Sequence, residues 1–189
     1  MSLLVEILEH NQEFVQEKQY DQYRTTKFPD KKLVILSCMD TRLTYLLPQA
    51  MNLKNGDSKI IKNAGAIVSH PFDSVMRSLV VAIYELGARE VCVVGHHGCG
   101  MGGIRPDETM EKMMDRGISE DTLDTLERAG IDLKHWLRGF DSVEESVKQS
   151  VEVIRQHPLI PEGIPVHGLV IDPETGKLDV VATGYEAEK

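Results

Sequence analysis

Two apolar runs, each ending on soft metal ligands, constrain this chain more than any other feature. Leu33-Val34-Ile35-Leu36-Ser37 leads into Cys38-Met39-Asp40-Thr41-Arg42, and Val91-Cys92-Val93-Val94-Gly95 leads into His96-His97-Gly98-Cys99-Gly100. Short apolar runs bounded by turn residues read as strands buried on both faces of a parallel sheet. In such sheets ligands gather at the carboxyl ends of the strands, where Cys38 and His96 stand. If the two strands are neighbours, the ligands approach across an interstrand spacing of about 4.8 Å. Cys99, three residues past His96, can then turn back to close the set.

The remaining pattern supports the same architecture. Ser58-Lys59-Ile60-Ile61-Lys62 reads as a further strand, and residues 72–86 as a helix with Val75, Met76, Leu79, Val80, Ile83 and Leu86 on one stripe and Gly87 as its stop. Ser142-Val143-Glu144-Glu145 is a capping box opening a helix to about His157, with Val147, Val151 and Ile154 inward. Val166–Ile171, a turn over Asp172–Gly176 and Leu178–Val181 read as a strand, a tight turn and an antiparallel edge strand. Residues 104–140 read as an insert of two short helices, one stopping at Gly117 and one at Gly130. Leu3, Leu4, Ile7, Leu8, Phe14 and Val15 make residues 1–28 an amphipathic helical arm that needs a surface to cover. The expected fold is α/β: a mostly parallel central sheet of about four strands plus an antiparallel edge strand, flanked by helices, in a single domain over residues 1–189.

A net charge of −9 argues against a nucleic-acid footprint or an anionic membrane surface. Three cysteines do not make a disulfide framework, and two of them fall in the ligand motifs. With no apolar stretch of membrane-spanning length and no basic start before an apolar core, the expected location is cytoplasmic.

Cys, His and Cys form a zinc set, and an acid with its own basic partner beside the first ligand points to a catalytic ion rather than a structural one. Two thiolates and a neutral imidazole cancel the charge of Zn²⁺, so the centre acidifies water less than a three-histidine site would. Arg42 is a fixed cation that compensates, and its guanidinium fork matches the carboxylate edge of Asp40. Asp40 can accept a hydrogen bond from the attacking oxygen and so orient its lone pair. Cys92 reads as a small buried hydrophobe, His97 as an oriented loop histidine and His70 as structural, while His10, His135, His157 and His167 have no evident partner. Met39 and Tyr45 flank the first motif. Gly100, Gly102 and Gly103 lack the Gly-Lys-Ser/Thr of a phosphate loop. Asn63-Ala64-Gly65 ends the second strand, as either a tight turn or a segment touching the site.

Cys38-x-Asp40-x-Arg42 and His96-x-x-Cys99-Gly100 resemble the two signatures of β-class carbonic anhydrases, and Asn63-Ala64-Gly65 resembles a family element that lines the site. The resemblance covers nearly the whole chain and is nearest to short bacterial members with a helical insert after the second signature. It implies one Zn²⁺ per chain on Cys38, His96 and Cys99, an Asp40–Arg42 dyad, and a substrate pocket beside Asn63, Ala64, Gly65 and Gly100. It also implies a homodimer or higher homo-oligomer with the site near the subunit interface, and reversible hydration of carbon dioxide to bicarbonate. Asp40 could itself become a fourth ligand, as in part of that family, giving a closed centre that opens as pH rises. The additional glutamine donor and pocket aromatics of plant-type members have no counterpart here. His97 and Gly98 stand where Thr or Ser and Asp or Glu are common. The same ligands would serve a zinc hydrolase for carbonyl sulfide or carbon disulfide, or a non-catalytic zinc or thiol-sensing module.

Overall fold

A computed structural model describes residues 2–185. Five strands form one sheet: β1 (Leu33–Cys38), β2 (Ser58–Asn63), β3 (Glu90–His96), β4 (Val166–Ile171) and β5 (Leu178–Ala182). Their order is β2-β1-β3-β4-β5. The first four are parallel and β5 is antiparallel to β4, with an irregularity at Gly168/Leu169. From β1 the chain winds outward to β2 on one side and to β3 on the other. The crevice at the carboxyl ends of β1 and β3 is therefore the switch point at which open α/β sheets bind ligands.

The strands form where the apolar runs predict them because β1 and β3 are covered on both faces. Val34, Leu36, Val91 and Val93 join one core cluster, and Ile35, Cys92 and Val94 join the other. Helix α3 (Ser74–Tyr84) and helix α7 (Val143–Arg155) supply Val75, Met76, Leu79, Val147, Val151 and Ile154 to the first cluster. Each such side chain contributes about 1.5–3 kcal/mol on burial. Ser142 caps α7 by accepting from the Glu145 N–H at 3.3 Å. The reverse arm of the capping box is not made, because Glu145 pairs with Lys148 instead.

Helix α7 lies close on β3 and β4 because both strands carry glycine beneath it. A Cβ on Gly95 would sit 2.7 Å from methyl carbons of Val143 and Val147, and one on Gly168 would sit 2.8 Å from a methyl of Val147. Gly95→Ala is expected to cost about 1–3 kcal/mol through overpacking. Thermal unfolding should show the midpoint falling by roughly 3–10 °C. An unchanged midpoint would mean that α7 can lift off the sheet at no cost.

Three features depart from the expected pattern. Helix α2 (Leu43–Ala50) has no counterpart in the sequence reading; it buries Leu43 and Leu47 despite Pro48 within it. The insert holds three helices rather than two: α4 (Pro106–Asp115), α5 (Glu120–Arg128) and α6 (Leu133–Leu137). The third is one short turn pinned by burial of Leu133 and by the Asp132 carboxylate accepting from the His135 N–H. It is too short to show a period. Two histidines also acquire partners. His167 Nδ1 accepts from the Gly184 N–H at 3.0 Å, and its Nε2 lies 3.2 Å from Glu90 Oε1, which also accepts from the Tyr185 hydroxyl at 2.9 Å. Buried His157 accepts from the Leu159 N–H and packs on the Phe72 ring.

Helix α1 (Leu3–Gln16) forms as its periodicity predicts, yet buries none of its residues. Leu3, Leu4, Ile7 and Leu8 are 71, 64, 55 and 57% exposed. Among the described residues, no helix is long and apolar enough to cross a membrane.

Candidate metal centre

Cys38 is the last residue of β1 and His96 the last of β3, and the two strands are hydrogen-bonded neighbours. Strand pairing therefore delivers both side chains to the switch point. Cys99 returns after the left-handed Gly98, whose φ is 63°. The two Sγ atoms and a His96 ring nitrogen all lie within 4.8 Å of one another. Cys38 and His96 are 4 and 1% exposed, and Cys99 is half-buried.

The arrangement meets what a metal ion requires. Tetrahedral thiolate coordination with bonds of about 2.3 Å puts two sulfurs about 3.8 Å apart. The Cys38 and Cys99 sulfurs are 3.8 Å apart. His96 Nδ1 lies 3.0 Å from the His97 carbonyl, so the N–H belongs on Nδ1 and the lone pair on Nε2. Nε2 is buried with no hydrogen-bond partner among the described residues, and an orphaned buried nitrogen is costly unless something occupies its lone pair. Burial pushes the Cys99 thiol up, and Cys38 beside it adds to the shift. A cation among these groups would reverse that by favouring thiolate. Two sulfurs and an imidazole fit a thiophilic divalent ion.

Asp40 and Arg42 flank the set. Asp40 Oδ1 accepts from the Arg42 backbone N–H at 2.9 Å and from Nε at 3.0 Å, and Oδ2 accepts from Nη2 at 2.9 Å. Nη2 also donates to the Gly98 carbonyl at 3.2 Å, which ties the first motif to the second. Hydrogen bonding from Arg42 holds the Asp40 carboxyl well below the usual carboxylate range. Oδ2 lies 3.7 Å from His96 Nε2, so a fixed negative charge faces the centre.

The segment after β2 reaches the same place. The backbone N–H of Gly65 donates to Cys38 Sγ at 3.4 Å. Gly65 has a φ of 80°, and a Cβ there would lie 2.9 Å from Ile67 Cδ1 and 3.0 Å from Met101 Cγ. Ala66 follows at a φ of 57°, a conformation costing a non-glycine residue about 1 kcal/mol. Asn63 directs its amide at Ile67, and Ala64 sits in the turn between them. Gly100 is exposed and has open space where a Cβ would lie. Met39 and Tyr45 are exposed beside the first motif. Met101 went unread in the sequence, and Gly98 was read only as standing where Asp or Glu is common, not for its backbone. The positive φ needed within His-His-Gly-Cys was a signal for Gly98, whereas the contact between Met101 and the β2 turn has none.

The carbonic anhydrase family profile matches residues 33–178, which spans every residue of this centre. The β-carbonic anhydrase isoform I of Trichomonas vaginalis superposes with a TM-score of 0.89 at 35% identity, covering 98% of this chain and 100% of that one. The chain belongs to the β-carbonic anhydrase family. The Bacillus subtilis protein YvdA is 67% identical to this β-carbonic anhydrase homologue over 188 residues, 100% of this chain and 95% of YvdA. The family's relatives also include enzymes named for another substrate. A carbon disulfide hydrolase from Acidithiobacillus thiooxidans is 30% identical over 157 residues, 79% of this chain and 76% of the hydrolase.

Proposed function

We propose that this chain binds one zinc ion through Cys38, His96 and Cys99 and catalyses the reversible hydration of carbon dioxide to bicarbonate. The observation that carries this reading is the matched donor set, with sulfurs 3.8 Å apart and an unpartnered buried Nε2, beside a carboxylate held by arginine. Bound zinc would supply an acidified water as the nucleophile, less acidified than at a three-histidine centre because two thiolates offset the metal's charge. The chain's own residues do the rest. The His97 carbonyl fixes the His96 tautomer. Asp40, ionised across the neutral range because of Arg42, accepts a hydrogen bond from the attacking oxygen and aims its lone pair. Arg42 engages both Asp40 oxygens, which restrains the carboxylate from swinging onto the ligand set. That supports an open, catalytic centre.

Stopped-flow carbon dioxide hydration at about pH 8.5, above the titration of such a water, tests the reading on chain verified to hold one equivalent of zinc. Hydration far above the buffer rate, lost on chelation and restored by zinc, is expected. Hydration at the buffer rate with zinc in place would refute it. A second reading, hydrolysis of carbon disulfide or carbonyl sulfide, is favoured by the named hydrolase relative. Sulfide release from either compound at a turnover exceeding carbon dioxide hydration would establish it.

The exposed apolar face of α1 supports a homodimer in which the arm covers a partner subunit. Leu4→Glu with Leu8→Glu is expected to turn the dimer into monomer in sedimentation velocity. A wild-type chain that is already monomeric would exclude this assembly.

A further inference from the structure

The zinc reading accounts for the three ligands and the dyad. It leaves unexplained why the turn after β2 is so tightly built. Asn63 holds that turn from both sides. Its Nδ2 donates to the Ile67 carbonyl at 2.6 Å, and its Oδ1 accepts from the Ile67 N–H at 3.2 Å. Its own carbonyl accepts from the Met39 N–H at 2.8 Å, which continues the β1–β2 ladder one step past Cys38. Between the two clamped ends, residues 65 and 66 are both left-handed, with φ of 80° and 57°. This is the conformation that turns the Gly65 N–H onto Cys38 Sγ. The far side is braced by Ser150 of α7, whose hydroxyl accepts from the Val68 N–H at 3.1 Å.

We propose that Asn63 is a positioning residue for the Cys38 thiolate, acting through the Gly65 N–H rather than through contact with substrate. The inference rests on Cys38 being a metal ligand. An amide hydrogen bond to a thiolate withdraws electron density from sulfur. The metal then keeps more of its positive charge, which offsets part of the neutralisation imposed by two thiolates. Both ends of the Asn63 amide are engaged with Ile67, so its role is to fix the turn. A Cβ on Gly65 would press on Ile67 and Met101, and its φ of 80° disfavours any side chain, so the turn that presents the N–H is built on glycine.

The test uses the full chain loaded with cobalt(II), whose thiolate charge-transfer band reports the electron density on sulfur. Asn63→Ala removes both bonds to Ile67, while Asn63→Asp keeps the acceptor and removes the donor. In folded variants the band is expected to move to longer wavelength, and zinc binding to weaken about tenfold. The pH midpoint of hydration should shift alkaline by roughly half a unit, the equivalent of one hydrogen bond. A folded variant with the wild-type band and midpoint would overturn the proposal. If neither variant folds, the wild-type chain loaded with ¹¹³Cd decides. Coupling between the Gly65 amide proton and cadmium through the hydrogen bond supports it, and its absence overturns it. Failure of the wild-type chain to give any thiolate–cobalt band would overturn the metal assignment itself, which keeps the two failures apart.

Discussion

Cys38→Ser is expected to abolish zinc retention and carbon dioxide hydration together. The substitution is nearly isosteric at a buried strand end, so the sheet should survive. What changes is the donor: a soft thiolate becomes a hydroxyl that stays protonated at neutral pH. Structural zinc sites are worth roughly 10–16 kcal/mol over four ligands. Losing one thiolate, at about 2.5–4 kcal/mol per ligand, therefore weakens binding by roughly a hundredfold to nearly a thousandfold. Metal analysis after dialysis should find little zinc, and stopped-flow hydration should fall to the buffer rate. The control is Cys92→Ala. Cys92 lies within β3, and burial pushes its thiol up to about 12, so it is an inert packing group. That variant should keep its zinc and its activity. Full zinc in Cys38→Ser, or none in Cys92→Ala, would mean that the ligands have been misassigned.

Asp40→Asn should separate metal binding from catalysis. The asparagine is the same shape, but it presents an N–H₂ where one carboxylate oxygen stood and no longer pairs with Arg42. Zinc should remain at one equivalent while hydration falls about 10²–10⁴-fold, the usual size of a lost proton acceptor. The pH dependence follows from the direction of the Asp40 shift. Because its pKa is lowered, Asp40 is ionised well below neutrality and contributes no step between about pH 6 and 9. Any rise in wild-type activity across that window is expected from a zinc-bound water rather than from Asp40. Arg42→Gln removes the fork that holds Asp40 and lets the carboxylate swing towards the metal. Its activity should be low at neutral pH and recover as hydroxide competes at higher pH. A wild-type rate from Asp40→Asn would take this carboxylate out of the mechanism.

The elements legible in the sequence were those whose pattern is local. β1 and β3 read as unbroken apolar runs because both faces are covered, and α3 and α7 show their stripes because each lays one side on the sheet. α2 was missed because Pro48 interrupts an eight-residue helix held by only two buried leucines. α6 was missed because five residues cannot display a period. The candidate ligands could be named in advance, since few residue types bind soft metals, Cys38 and His96 end strand-like runs, and Cys99 follows three residues later. The Asp40–Arg42 contact was equally readable, its partners being two residues apart. Nothing local connected His167 to Glu90 and Tyr185, or Asn63 to the sulfur of Cys38 by way of Gly65.

Residue chemistry and period are properties of short stretches of chain. They determined that this protein has parallel strands, which side chains could bind metal, and which acid and base sit beside them. Distance between residues remote in sequence is decided by strand order, register and the depth to which helices settle on the sheet. Only the fold could set β1 against β3, put the Cys38 and Cys99 sulfurs 3.8 Å apart, leave His96 Nε2 without a partner among the described residues, and aim the Gly65 N–H at the Cys38 sulfur. Those placements emerge from packing summed over the whole core, which no short window of the sequence contains.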